Sequence, residues 1–152
     1  DSGVTAADLV WDGTGWEEWG IRRGRCITCD YDMSLDDILS ARRFEDELYL
    51  YGFHDCAPRL QIRDGGWYGL PYRAIRVQGI GNLYAVGMMI TSNWEAHMST
   101  RNTVSCMAMG QAAGTAAALC ARKTGGDIRS LDYGDLRDAL LRGGVYLGED
   151  LD

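Results

Sequence analysis

Two groups of residues in this 152-residue chain could do chemistry. The first works through backbone rather than side chains. From Gly79 onward a turn leads to an apolar run, then a polar excursion. A helix follows from about Thr103, carrying Met107-Ala108-Met109-Gly110-Gln111-Ala112-Ala113-Gly114-Thr115-Ala116-Ala117-Ala118. Gly110, Gly114 and Ala118 recur every four residues, so they share one helix face that has almost no side-chain bulk. Such a face lets a backbone approach closely. Thr103 is placed to cap the helix, which would leave the amides of Val104, Ser105 and Cys106 pointing outward. Free amides and the helix dipole together favour electron-rich oxygen atoms. The same spacing also fits a face that simply packs on a sheet.

The second group is sulfur, imidazole and guanidinium. Cys26-Ile27-Thr28-Cys29 followed by His54-Asp55-Cys56 offers four ligands of the kind that hold structural zinc. Against that, Cys26 and Cys29 fall in a strand-like run, where residues three apart face opposite sides. The usual second Cys-x-x-Cys is also missing, so buried thiols without metal are the favoured reading. His54 and His97 are the two histidines and titrate near neutrality. Arg73 and Arg101 could hold a carboxylate or carbonyl oxygen. Each of these four also fits an ordinary hydrogen-bonded or surface residue.

The composition narrows the classes. Hydrophobic residues make up 46% and charged residues 24%, as in ordinary globular chains. The net charge of −7 argues against nucleic acid and anionic membranes as partners. The stretch 104–121 is apolar but mostly Ala, Gly, Met and Thr around Gln111, too weak for a membrane span. The start, Asp1 to Asp8, is acidic and polar, unlike a signal peptide. Five cysteines without a secretory signal suggest a reducing compartment, so cytoplasm is the expected location.

Elements must position these groups. The Trp11, Trp16 and Trp19 region reads as irregular or a short hairpin, and 21–31 reads as a strand. Ser34 before Leu35-Asp36-Asp37 predicts a helix through about Arg43. Residues 47–53 read as a strand, Asp64-Gly65-Gly66 as a turn, and 72–77 as a short strand. The run 83–90 predicts a buried strand, and 91–102 a polar connection. A long helix is predicted over 103–123, stopped by Gly125-Gly126, and a last one over 132–142. Strands ahead of helices indicate an α/β class.

Taken together, Tyr68-Gly69-Leu70-Pro71-Tyr72-Arg73, Asn82-Leu83-Tyr84-Ala85-Val86-Gly87, Glu95-Ala96-His97, Arg101 and the run Cys106 to Ala118 resemble the carboxyl-terminal part of the FAD dependent oxidoreductase family, within the glutathione-reductase-like flavoprotein superfamily. The resemblance covers roughly 47–147. It implies the C-terminal portion of a Rossmann-like FAD-binding fold, its last sheet strand plus long helix, with part of a mixed substrate domain. On that basis 1–77 belongs to a substrate or cap domain with an N-terminal extension. Residues 78–124 form the strand and helix of the FAD domain, and 125–152 a final helix and tail. The helix start would lie near the flavin pyrimidine ring. Gly87, Met88, Thr103, Val104, Ser105, Cys106 and Gly110 would touch the cofactor. His97, Arg101, His54 and Arg73 would serve the substrate and its proton. The chain departs from the family at Met88, where Arg is common, and at Thr91, Asn93 and Trp94, where Ser, Thr and His are common. Val104 stands where proline is common at the first helical position, and Gly52-Phe53-His54 where an Asp-x-His element is common. The flavin-facing scaffold is kept while the substrate pocket is altered.

A flavoprotein of this class also needs a Gly-x-Gly-x-x-Gly turn opening a helix, to bring backbone against the pyrophosphate. Gly79-Ile80-Gly81-Asn82 precedes the 83–90 run instead and opens no helix. The expected role is therefore a small subunit or fragment of an FAD-dependent oxidoreductase, inactive alone and completed by a larger chain that carries the glycine fingerprint. The alternatives are a structural subunit of the same fold without flavin, or a zinc-stabilised module using Cys26, Cys29, His54 and Cys56.

Overall fold

A computed structural model of the chain describes residues 27–52 and 61–148. The Trp11–Trp16–Trp19 region, Cys26, His54 and Cys56 lie outside them. Of the 21–31 strand only its end is described, and there Cys29 makes a single antiparallel bridge to Val77.

Helix α1 spans Leu35–Leu39. Ser34 caps it: its hydroxyl accepts from the Asp37 amide, while the Asp37 carboxylate accepts from the Ser34 amide and hydroxyl. That reciprocal pair satisfies two amides that would otherwise lack partners at the helix start. The helix ends before Arg43 because Ala41 takes a left-handed φ of 55°. Strand β1 (Glu47–Tyr51) pairs antiparallel with β2 (Tyr68–Pro71), with a bulge between Glu47 and Tyr49. Gly69 is required in β2. A Cβ there would sit 2.7 Å from the Glu47 side-chain carboxyl carbon, which crosses over the strand.

Two expected strands are not formed. Residues 72–77 instead begin as a 3-10 turn, Tyr72–Ala74. Tyr72, Ala74 and Ile75 are all buried, a spacing of two then one that no single strand face can provide. The 83–90 run is likewise broken. Leu83 and Met89 are 43% and 46% exposed, and Tyr84 makes one bridge, to Arg76. Gly87 takes φ +69° and opens a second 3-10 turn, Gly87–Met89. An apolar run becomes a strand only where neighbours complete its ladder, and here none of the described residues does. The sheet is thus two antiparallel strands, and no parallel sheet occurs among the described residues. The chain remains a mixed helix-and-sheet structure.

Within the stretch read as a polar connection lies a helix, α2 (Trp94–Thr100), capped by the Asn93 side chain, which accepts from the Ala96 amide. Helix α3 runs over Thr103–Lys123, as its sequence predicts, and ends at Gly125 and Gly126, both at positive φ. Helix α4 (Tyr133–Arg142) starts from Asp132, whose carboxylate accepts from the Asp135 amide. Tyr133 then donates to the Glu47 carbonyl at 2.6 Å, seating α4 on β1. By length and composition α3 passes for a membrane span, with mean hydropathy 1.3. Yet its Met109, Ala112, Ala116 and Cys120 lie inside the one large core, beside Leu48, Tyr68, Leu70 and Leu136.

Candidate functional site

The start of α3 is the centre of the site. Its N-cap is Asn102, in extended backbone, and the Asn102 side chain makes no capping bond to the first turn. The Asn102 side-chain amide turns back instead and donates to the carbonyls of Met98 and Ser99, at 2.9 and 3.1 Å, closing the end of α2. The first intrahelical bond runs from the Cys106 amide to the Asn102 carbonyl at 2.8 Å. Thr103 is therefore the first helical residue rather than the cap. The uncapped amides are those of Thr103, Val104 and Ser105, one residue earlier than the sequence suggests, and Cys106 spends its own inside the helix. Thr103 is exposed and Val104 is 64% exposed, so this end of the dipole opens outward.

The turn Gly87–Met89 lies against that helix start. A Cβ on Gly87 would meet the Cys106 sulfur at 3.9 Å. Gly87 is needed for its left-handed φ rather than for space. Met88 is half-buried beside it. Cys106 donates from its thiol to the Arg101 carbonyl at 3.2 Å, and burial pushes its pKa up, so it stays protonated. Five of the expected cofactor residues, Gly87, Thr103, Val104, Ser105 and Cys106, thus gather at one place, with Met88 next to them. Gly110 lies two turns along α3 and is exposed.

Two buried hydroxyl pairs seat the start of α3 and the end of α2. Tyr49 from β1 pairs with Ser105 at 2.7 Å, and Tyr68 from β2 pairs with Ser99 at 2.8 Å. Burial drives both phenols well above their usual pKa, so they remain neutral hydrogen-bonding groups at any ordinary pH. The sequence reading missed these tyrosines, because each partner is distant along the chain.

The candidates for substrate chemistry divide. His97 is 3% exposed, on α2, with Nδ1 2.7 Å from the Ser92 hydroxyl. Arg101 follows directly, half-buried, one Nη 3.6 Å from the Met98 sulfur. Both lie on the α2–α3 side of the molecule. Arg73 does not join them. Its guanidinium is 3.5 Å from Asp46 and lies over the rings of Tyr31 and Phe44 at 5.3 and 5.7 Å. His54 is outside the described residues. Of the possible zinc ligands only Cys29 is described, buried against Val77 and Ala85. No cluster of three or more His, Cys, Asp or Glu suited to a metal ion occurs among the described residues.

The small-residue face of α3 points outward. Gly110, Gly114 and Ala118 are exposed, and a Cβ on either glycine would meet nothing within 4 Å. Beside them Met107 is 70% exposed. The opposite face packs into the core.

With this arrangement in view, the chain belongs to the FAD dependent oxidoreductase family, whose family model matches residues 3–140. The match reaches well before the stretch that carries the sequence resemblance. No curated protein and no solved structure matches the chain.

The residues at the α3 start suit the family's cofactor. An outward, uncapped helix N-terminus offers donors and positive potential to an electron-rich carbonyl edge, and Gly87 adds no bulk beside it.

Proposed function

We propose that this chain contributes the flavin pyrimidine-side contacts and part of the substrate pocket of an FAD-dependent oxidoreductase, and that a dinucleotide-binding segment bearing the glycine fingerprint completes the site. The observation that carries the reading is the uncapped, outward start of α3 set against the left-handed Gly87 turn. FAD, when bound, supplies the hydride chemistry. The chain's part is placement and electrostatics. The exposed Thr103 and Val104 amides would hold the N1–C2=O edge, where reduction puts negative charge, with Ser105 buried behind them. Gly87 and Met88 would line it, with Cys106 and Gly110 behind. His97 and Arg101 would meet the oxygen atoms or the proton of the substrate, joined by His54 and Arg73 only if the assembled protein brings them there. The exposed Gly110–Gly114–Ala118 face would receive the backbone of the completing segment. Alone, the chain would be colourless and inactive.

Thr103→Pro tests this reading. Position 103 is the first helical residue and Asn102 before it is already extended, so proline fits without distortion. It removes one amide from the flavin edge. A hydrogen bond to a charged group is worth about 1.5–3 kcal/mol, so the midpoint potential of the bound flavin should fall by about 30–60 mV. Redox titration of the assembled protein measures it. An unchanged potential, with FAD still bound, would refute the placement.

A further inference from the structure

The six methionines of the chain stand in very different surroundings. Met33 and Met109 are fully buried in the core. Met88 and Met98 are half-buried, and the Met98 sulfur has an Arg101 Nη 3.6 Å away. Met89 is 46% exposed. Met107, at 70%, is the most exposed large apolar side chain among the described residues.

Local geometry keeps the Met107 sulfur open. Side chains on a helix lean toward its amino end, so the residues placed to cover Met107 are those three and four positions on. Gly110 has no side chain to do so. Gln111 is drawn away, because its Nε2 donates to the Gly143 carbonyl at 3.1 Å, just past the end of α4. Gly114 extends the gap by a further turn, and a Cβ on either glycine would meet nothing within 4 Å. Val104, one turn earlier on the same face, is itself largely exposed. A thioether is oxidised when a peroxide oxygen reaches its sulfur, so access sets the order among the six.

We propose that Met107 is an oxidation site through which hydroperoxides regulate the assembly of this chain. The Met107 sulfur attacks the O–O bond and takes one oxygen, becoming the sulfoxide. The peroxide leaves as water, or as the alcohol if it is organic. Sulfur gives up two electrons and the peroxide takes them. The product is polar where the thioether was apolar, and reductases return it to methionine. On the chain alone the change costs little, since the side chain already stands in water. Where a backbone closes on the outer face of α3, the S=O group would be buried without a donor, and closure would be opposed. That consequence rests on the function proposed above. The order of oxidation does not.

Brief treatment of the full chain with hydrogen peroxide, then with dithiothreitol, tests it. The dithiol returns disulfides and sulfenic acids to cysteine and leaves sulfoxides in place. Peptide mass spectrometry should find Met107 oxidised first, Met89 next, and Met33 and Met109 protected until the chain unfolds. Thermal unfolding of the chain oxidised at Met107 should be nearly unchanged. Added to the dinucleotide-binding segment and FAD, that chain should assemble about tenfold more weakly, the effect of one polar group buried without a partner, with retained flavin as the readout. Methionine sulfoxide reductase should restore assembly. Met107→Leu, which keeps the apolar bulk without sulfur, should assemble equally well before and after peroxide. Met107 oxidised no faster than Met33 or Met109 overturns the site. Unchanged assembly of the oxidised chain, or an equal loss in Met107→Leu, overturns the switch. An untreated chain that takes up no flavin refutes the proposed function and the switch with it, while the order of oxidation is read on the chain alone.

Discussion

Asp37 shows how much one side chain can carry here. Its carboxylate is buried and accepts from the Ser34 amide and hydroxyl, from Tyr31 at 3.0 Å and from Arg42 at 2.7 Å. Burial alone would raise its pKa, but those donors outweigh burial and hold it below the usual carboxylate range. A depressed folded-state pKa gives stability that is present above the unfolded value of about 3.8 and lost as pH falls through the folded value. Asp37→Asn should therefore cost about 1–2 kcal/mol at pH 7, the price of a cap and its bonds, and much less near pH 2. Urea unfolding at the two pH values reads the difference. An equal loss at both would mean that the charge contributes nothing. This site was legible because Ser34 and Asp37 are three residues apart. Tyr49 and Ser105 are 56 apart, and Tyr68 and Ser99 are 31 apart, so no local pattern could join them.

Among the elements, α3 was readable to both ends, because its small residues, its length and the following glycines agree. Helix α2 was hidden by its polarity, although Asn93 with the buried Ala96, Ser99 and Thr100 gives helical spacing. The 83–90 run misled for the opposite reason. Apolar content alone does not separate a strand from a broken segment, and Gly87, inside the expected strand, takes a left-handed φ and opens a turn. The seating of α3 is where an element-scale prediction belongs. Tyr49→Phe removes the buried bond to Ser105 and should destabilise the chain by about 1–2 kcal/mol. On the function proposed above, that bond fixes the helix start at the flavin, and the variant should also release FAD faster from the assembled protein. Chemical denaturation and flavin fluorescence during dilution measure the two effects. Loss of stability with unchanged flavin release would separate the helix seat from the cofactor.

At the scale of the molecule, the outer face of α3 is the surface left bare. A chain that buries one side of a 21-residue helix and exposes glycines on the other has kept those glycines against their helix propensity. Gly114→Ala makes the conflict measurable. Nothing lies within 4 Å of the added methyl, so the chain alone should gain up to about 1 kcal/mol in thermal unfolding. If a backbone closes on that face in the complete protein, the same change should reduce FAD content and assembly. A variant that is more stable alone and equally well assembled would show that the face stays in water. No sequence pattern could decide between these outcomes, since a small-residue stripe reads the same whether covered or bare.

The bare face also bears on how the protein is kept in supply. Val104 and Met107, at 64% and 70% exposure, lie on a helix with no charged side chain between Thr103 and Ala121. Such a surface is what quality-control chaperones and proteases act on. If a partner covers α3, as proposed above, copies made in excess of it should be short-lived. The steady amount of this chain in a cell would then follow the production of its complement more closely than its own rate of synthesis.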